Sequence, residues 1–420
     1  QRAILVLIST GDKHAVAAKW GWSAEGRWVW KWKDWIDQRF MRKFNELPEM
    51  AAEEATALNP GLADRATLSD ISAIAMRCGG CGAKVGANVL TRALADLEPA
   101  ANEDVLVGLH APDDAAVVQV PDGKVMVHTV DYFRAFIDDA YVFGQVAANH
   151  ALSDIYAMGA GAQSALAIAT VPYGLEAKVE TSIREMMAGA IDVLNEAGAT
   201  LVGGHTSEGP ELALGFSVNG LADRETILHK GGMAAGDVLI LTKALGTGTL
   251  FAADMQQKAK GRWIEGALKS MVQSNRQAAQ CLFDHGASAC TDITGFGLVG
   301  HTVEMTKASG VDVEIDLDSL PVLDGAQETV GIGILSSLQP ANVRLRRAIR
   351  NLNAAGKHER YPLIFDPQTS GGLLASLPAE RAQSCLRVLL DLGYAKAAIV
   401  GRVTAESGHL EPIPLISRSN

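Results

Sequence analysis

The chain has 420 residues, of which 48% are hydrophobic and 20% charged, and it contains 42 glycines. This composition is that of a globular protein with helices and strands, neither disordered nor fibrous. Its net charge of −11 excludes the chain as a whole as a nucleic-acid binder. Five scattered cysteines are too few for a disulfide scaffold and favour a reducing, cytoplasmic setting. No apolar run reaches about 18 residues, so no transmembrane helix is predicted, and no signal peptide is recognised.

The first 50 residues differ from the rest of the chain. They hold nine Lys/Arg against six Asp/Glu, a net charge of +3, and six of the seven tryptophans lie within residues 20–35. Bulky apolar side chains recur every four residues, which predicts an amphipathic basic helix: Trp28, Trp32, Ile36 and Phe40. Two interpretations stay open, namely membrane-surface contact through residues 20–44 and packing of this helix on a missing domain.

Residues 1–49 resemble the C-terminal tail of NADH-dehydrogenase-like flavoproteins of the pyridine nucleotide–disulfide oxidoreductase type. They contain no GxGxxG motif, so no binding of FAD or NADH is expected from them alone. The sequence starts without methionine in a strand-like apolar run, which we interpret as a fragment of a longer polypeptide. The expected localisation is cytoplasmic, and the membrane interpretation of the basic helix would make the full-length protein peripheral to the inner membrane.

Residues 50–70 read as a linker, and the main body begins near Ile71. An N-terminal domain is predicted over 71–235, with strands at 104–109, 115–120, 124–130, 164–171 and 211–220 and helices at 86–97, 141–158 and 178–197. A C-terminal domain is predicted over 236–420, with strands at 238–242, 311–317, 371–376 and 397–403 and helices through 262–285 and 295–309. Clustered strands and long helices indicate an α+β fold.

Residues 78–84 form a glycine-rich loop with a thiol three residues before a lysine. Cys81 can act as a nucleophile or a chalcogen carrier, and Lys84 can stabilise a thiolate or neutralise phosphate oxygens. The pair Cys78 and Cys81 also allows a half zinc site or a redox disulfide. The other three thiols lie in apolar segments and are predicted to be buried: Cys281, Cys290 and Cys385.

Five aspartates stand beside apolar runs: Asp113, Asp114, Asp131, Asp154 and Asp292. Asp131 is predicted to end the strand 125–130. Carboxylates converging from separate segments could hold Mg²⁺ around a triphosphate, because this ion shares its shell between carboxylate and phosphate oxygens. The alternative is that each aspartate caps a helix or forms a turn.

Two glycine-rich segments are predicted to be turns. Residues 203–206 follow a strand at 199–202, and their backbone N–H groups could cradle phosphate, although a tight turn explains them equally well. Residues 366–372 precede an apolar strand and are interpreted as a structural turn.

Taken together, these segments resemble selenophosphate synthetase (selenide, water dikinase). The resemblance runs from about residue 75 to the C-terminus, with seven motifs in order. The family motifs GCGxK, DDAAV, TTDFF, NAISDIFAMG, GGHS, TDVTGFGLLGH and DPQTSGGLL are matched or approached at residues 80–84, 113–117, 129–133, 149–159, 203–206, 291–301 and 366–374.

The resemblance implies a homodimer with the two-domain, ATP-binding fold of aminoimidazole-ribonucleotide synthetase. Cys81 would be the catalytic thiol, and Lys84 would act in the chemistry and contact ATP. Mg²⁺ would be held by Asp114, Asp154 and Asp292. The nucleotide would contact Asp113, Asp131 and Asp154, together with Gly204, His205 and Thr206 of the dimer mate.

The implied reaction converts ATP, selenide and water into selenophosphate, AMP and phosphate. One alternative is another ATP-dependent enzyme of the superfamily, such as a thiamine-monophosphate kinase or a hydrogenase-maturation dehydratase. The Cys81–Lys84 loop argues against the kinase, and a C-terminus without cysteine argues against the maturation protein. A second alternative is a membrane-tethered redox or interaction module, which leaves the aspartate motifs unexplained.

Overall fold

A computed structural model describes residues 6–45, 83–110 and 115–417 of the chain. These residues belong to two compact units, which span 1–72 and 73–420. Cys78, Cys81, Asp113, Asp114 and the predicted linker lie outside the described residues. None of the described helices is both long enough and apolar enough to cross a membrane.

The first unit is a small antiparallel sheet followed by one helix. Its strands are β1 (Val6–Gly11), β2 (His14–Lys19) and β3 (Trp22–Gly26), in that spatial order, and the helix is α1 (Arg27–Asn45). Two-residue turns with positive φ join the strands, as tight hairpins require. The small core holds Val29 of α1. The predicted basic helix is therefore present, with Trp28 and Trp35 60% and 56% exposed.

The first half of the second unit is a four-stranded sheet covered by long helices. The sheet order is β6-β9-β7-β8, antiparallel except for the parallel pair β7 and β8. The strands of this half are β4 (Val105–Val107), β5 (Val117–Val118), β6 (Lys124–Arg134), β7 (Gly161–Pro172), β8 (Thr200–Gly209) and β9 (Ala213–Asp223). The helices are α2 (Ala87–Leu94), α3 (Ala140–Ala157) and α4 (Glu176–Ala197).

The second half is built on a six-stranded sheet of order β11-β13-β10-β14-β12-β15, in which only β12 and β15 pair in parallel. Its strands are β10 (Val238–Leu241), β11 (Ala289–Asp292), β12 (Val311–Asp316), β13 (Leu373–Leu377), β14 (Ala398–Ala405) and β15 (Leu415–Ile416). Its helices are α5 (Thr247–Met255), α6 (Gly261–Val272), α7 (Arg276–Asp284), α8 (Gly297–Ser309), α9 (Ala326–Gly331), α10 (Gln339–Asn342), α11 (Leu352–Ala355) and α12 (Ala379–Asp391).

Mixed sheets covered by helices confirm the predicted α+β class. The helices expected through 262–285 are α6 and α7, and the chain turns between them at residues 273–275. The prediction of a turn at residues 203–206 was wrong, because these residues lie inside β8. A Cβ on Gly204 would come within 2.2 Å of the Ala167 carbonyl oxygen on β7, so the neighbouring strand demands glycine there.

Helix α3 is the central helix of the second unit. It contacts β6, β9 and α4 in the first half and α6, α7 and β11 in the second. Its surface is apolar nearly all round, as expected for a helix without a solvent face. A Cβ on Gly144 would stand 2.0 Å from the Met186 carbonyl oxygen, and one on Gly189 the same distance from that of Tyr141. Paired glycines thus let the backbones of α3 and α4 nearly touch.

Candidate active site

Three carboxylates converge from three elements of the second unit. Asp131 lies on β6, Asp154 lies in the last turn of α3, and Asp292 is the last residue of β11. The carboxyl groups of Asp131 and Asp154 lie close enough to raise the pKa of Asp131, and Asp154 accepts a hydrogen bond of 2.5 Å from Thr129 Oγ1. The prediction that Asp131 ends its strand was wrong, because pairing with β9 carries β6 on to Arg134.

Two of the three carboxyl groups hold their protons more tightly than an ordinary aspartate does. Burial raises the pKa of Asp131 to about 7, and the charge and hydrogen bond of Asp154 add to the rise. Burial raises the pKa of Asp292 to about 8, with the charges of Asp154 and Asp131 as further causes. Like charges gathered in a low-dielectric site favour either a proton or a cation. The alternative that these three aspartates merely cap helices or form turns does not fit these positions.

Asp292 is held in place by a chain of buried polar groups. The Ser153 side chain lies beside its carboxyl group and opposes the rise of its pKa. Asn275 Nδ2 in turn donates 2.8 Å hydrogen bonds to Ser153 Oγ and to the Gly371 carbonyl oxygen. Within the described part of the chain, the buried Oδ2 of Asp292 has no hydrogen-bond partner. A buried carboxylate oxygen without a donor fits a hard cation such as Mg²⁺.

His150 on α3 stands beside Asp131, with 3.8 Å between Nε2 and Oδ1. The Ser370 backbone N–H donates to Nδ1 at 2.9 Å, which places the ring proton on Nε2, facing the carboxylate. Burial lowers the pKa of His150 to about 4, so the ring is neutral at pH 7. His150 is therefore a neutral donor at the edge of the cluster.

Lys243, which sequence reasoning missed, places a buried amino group near Asp292. Burial lowers its pKa to about 7, while the charge of Asp292 acts in the opposite direction. Its Nζ donates hydrogen bonds to the carbonyl oxygens of Gln273 at 2.5 Å and Ser370 at 3.2 Å. Only its position directly after a predicted strand could have drawn attention to it.

The predicted turn at 366–372 links these groups. The backbone of Ser370 contacts both His150 and Lys243, and the next carbonyl, of Gly371, accepts from Asn275. Asp366 is fully buried and accepts hydrogen bonds from the Gly248 backbone N–H and from Gln368 Nε2. Burial raises the pKa of Asp366 to about 7. The segment is a turn, as predicted, but one that holds site residues in place.

The remaining predicted site residues are not brought together in one chain. Lys84 is exposed just before α2 and has no hydrogen bond or ion pair with the other described residues. Gly204, His205 and Thr206 lie on β8, the opposite edge of the sheet from β6. Gly204 shares a row of paired residues with Asp131, three strands away, which corresponds to about 14 Å. A mainly apolar cavity of about 600 Å³ borders β7 and β8 and excludes the three carboxylates.

Family models and solved structures assign the second unit to a known class of proteins. Residues 112–222 match the N-terminal domain of AIR synthase related proteins, and residues 234–410 match the C-terminal domain. Solved structures show the same fold. The hydrogenase maturation protein HypE aligns with a TM-score of 0.57 at 17% identity, over 78% of this chain and 93% of its own. Thiamine-monophosphate kinase from Stenotrophomonas maltophilia aligns with a TM-score of 0.56 at 19% identity, over 78% and 94%.

Sequence relatives narrow the class further. Selenide, water dikinase from Caldanaerobacter subterraneus subsp. tengcongensis is 41% identical over 77% of this chain and 93% of its own length. The enzyme of the same name from Pelobacter propionicus is 39% identical over 78% and 93%. The chain belongs to the selenide, water dikinase family.

Proposed function

We propose that this chain makes selenophosphate from selenide, ATP and water, releasing AMP and phosphate. The observation that carries the proposal is the convergence of Asp131, Asp154 and Asp292, with a buried carboxylate oxygen that lacks a donor. Phosphoryl transfer depends mainly on positioning and charge neutralisation, and such a cluster is suited to both once cations occupy it. ATP use agrees with the relatives' name and with a structural neighbour, HypE, solved in complex with ATP.

The cluster residues divide into metal and nucleotide roles. Asp154 and Asp292, with Asp114, would hold Mg²⁺, which neutralises phosphate charge when bound. Asp113 and Asp131 would contact the nucleotide together with Asp154. Lys243 would offset charge on the Asp292 side, and His150 would keep Asp131 oriented.

Cys81 and Lys84 would act on the selenium side of the reaction. A thiol is a soft nucleophile, suited to guiding or carrying a chalcogen towards the γ-phosphate. The exposed Lys84, close to Cys81 in sequence, would neutralise phosphate oxygens.

The proposed homodimer would complete the nucleotide site. One chain separates Asp131 from Gly204 by about 14 Å across its sheet, so the Gly204, His205 and Thr206 contacts would come from a second copy. The sheet face opposite the helices offers a surface for that copy, with Val130 61% and Tyr132 46% exposed. Light scattering of the purified chain should give twice its 44.3 kDa mass, and a monomeric mass would refute the shared site.

Anaerobic phosphorus NMR with Mg·ATP, with and without selenide, tests the reaction. We expect a selenophosphate signal and AMP that both require selenide. Cys81→Ala should lose selenophosphate formation, and Asp292→Ala should lose Mg·ATP binding. Full activity of either variant would remove the role assigned to that residue.

The same assay tests the runner-up, a kinase resembling thiamine-monophosphate kinase, whose solved structures share the fold. That enzyme class would release ADP, and no selenide-dependent product would form. A membrane-tethered redox module would show no ATP-dependent thermal shift at all.

For the first unit we propose contact with a membrane surface. Tryptophans on an interfacial helix insert at the headgroup level while basic side chains meet anionic lipids. Trp22 is 84% exposed and Trp28 60%, and α1 carries six Lys/Arg residues. Sedimentation with vesicles containing anionic lipid should capture the chain, and W28S/W35S should weaken capture. No capture would favour the alternative, packing of α1 on another domain such as the flavoprotein that residues 1–49 resemble.

A further inference from the structure

Two cysteines and a histidine form a cluster that the phosphoryl-transfer site does not use. Cys281 lies on α7 and His285 is the residue that caps its C-terminal end, four positions later. Cys385 lies on α12, which packs beside α7. Both cysteines are buried and His285 is partly exposed. Residues four apart on a helix lie on one face, so Cys281 and His285 can bind the same ligand.

The distances between the donor atoms are those of a metal site. Cys281 Sγ lies 3.8 Å from Cys385 Sγ and 3.7 Å from His285 Nδ1. One donor atom from each of the three residues lies within 4.8 Å of the other two. A tetrahedral zinc ion with Zn–S of about 2.3 Å and Zn–N of about 2.0 Å has S···S edges of about 3.8 Å and S···N edges of about 3.6 Å. The two distances from Cys281 Sγ therefore match those between zinc ligands, and the donor atoms of Cys385 and His285 lie within 4.8 Å of each other.

The chemistry of the donors also suits a soft or borderline cation. Cysteine binds zinc as a thiolate, so metal binding here would release the thiol protons of Cys281 and Cys385.

We propose that Cys281, His285 and Cys385 bind zinc, with water in the fourth position. The partly exposed side of His285 would admit that water. His285 Nδ1 lies 2.7 Å from the Cys281 carbonyl oxygen, so coordination would replace a hydrogen bond and leave the ring proton on Nε2. Thiolate and imidazole ligands select zinc over Mg²⁺, so the site is chemically separate from the carboxylates. Zinc here would link α7 to α12.

Cobalt substitution of the full chain, purified anaerobically without metal, tests the proposal directly. Tetrahedral Co²⁺ should give thiolate-to-metal charge-transfer absorption that zinc abolishes on titration. Cys281→Ala and Cys385→Ala should each remove about half of this absorption and weaken zinc binding in a chelator competition by at least about 100-fold, more than an outer-shell partner costs. Cys290→Ala is the matched control, since it removes another buried thiol and should leave absorption and affinity unchanged.

Two further variants keep the result interpretable. His285→Gln alters a partly exposed position and should lower zinc affinity even if the alanine variants fold poorly. C78S/C81S removes two of the three remaining thiols, the third being Cys290, and should retain the cobalt spectrum. Absence of thiolate absorption in the wild-type chain, or its loss in C78S/C81S alone, would overturn the proposal. So would a Cys281–Cys385 disulfide that persists in the anaerobic preparation.

Discussion

Replacing Asp292 with asparagine should stabilise the metal-free protein in a pH-dependent way. The pKa of Asp292 is raised from 3.8 to about 8, chiefly by burial. Between these values the folded chain holds a proton that the unfolded chain has released. Stability therefore falls as the pH rises through this window, because the unfolded state binds fewer protons than the folded one. Asparagine does not ionise in this range, so Asp292→Asn does not lose stability in this way as the pH rises.

The size of the effect follows from the pKa difference. Each pH unit inside the window changes the free energy of unfolding by about 1.4 kcal/mol. From pH 5 to pH 8 the wild-type chain should therefore lose on the order of 4 kcal/mol that Asp292→Asn retains. For a unit of this size such a difference moves the melting temperature by about 5 °C or more.

Thermal unfolding in a metal chelator at pH 5 and pH 8 measures this difference. The melting temperature of Asp292→Asn should exceed that of the wild type far more at pH 8 than at pH 5. Asp312→Asn is the matched control: it removes another buried carboxylate, paired with Arg350 at 2.6 Å, and should destabilise the protein. Parallel pH profiles for wild type and Asp292→Asn would refute the reasoning.

Three further predictions concern the same unit. Saturating Mg·ATP should reduce the pH dependence of the wild-type melting temperature, because cations replace protons in the cluster. The pH dependence of Asp292→Asn should not change. An unchanged wild-type profile would argue against a metal site. Gly144→Ala should destabilise the folded protein by about 2 kcal/mol, since its Cβ would meet the Met186 carbonyl. Gly266→Ala, in open space on α6, should stabilise it by up to about 1 kcal/mol. Chemical denaturation measures both changes. Lys243→Met should lower turnover roughly 100-fold at saturating Mg·ATP while folding is retained, and wild-type turnover would contradict its role beside Asp292.

Periodicity predicted the long elements of this fold well. Helices α3 and α4 lie within two residues of their predicted bounds because their apolar surfaces are long and uninterrupted. Cys281, Cys290 and Cys385 are buried, as their apolar surroundings indicated. The strand β11 was not predicted, since four residues at the edge of a sheet carry too little pattern to stand out.

Local rules failed where a neighbouring strand decides the structure. Two glycines at 203–204 favour a turn, yet they belong to β8 because β7 approaches too closely for a side chain. Asp131 looked like a strand end because carboxylates are rare inside strands, but β9 pairs with it there. The sequence motifs predicted the carboxylates as site residues, whereas the contacts of His150, Lys243 and Asn275 with residues 370–371 follow only from the tertiary structure.

The carboxylate cluster draws its members from both halves of the second unit. Asp131 and Asp154 lie in the region that matches the N-terminal AIR synthase related domain, and Asp292 lies in the region that matches the C-terminal one. Neither half contains the whole cluster, so ligand binding at the cluster is thermodynamically coupled to the packing of the two halves. A ligand that bridges these carboxylates would stabilise that packing, and a change that separates the halves would weaken ligand binding.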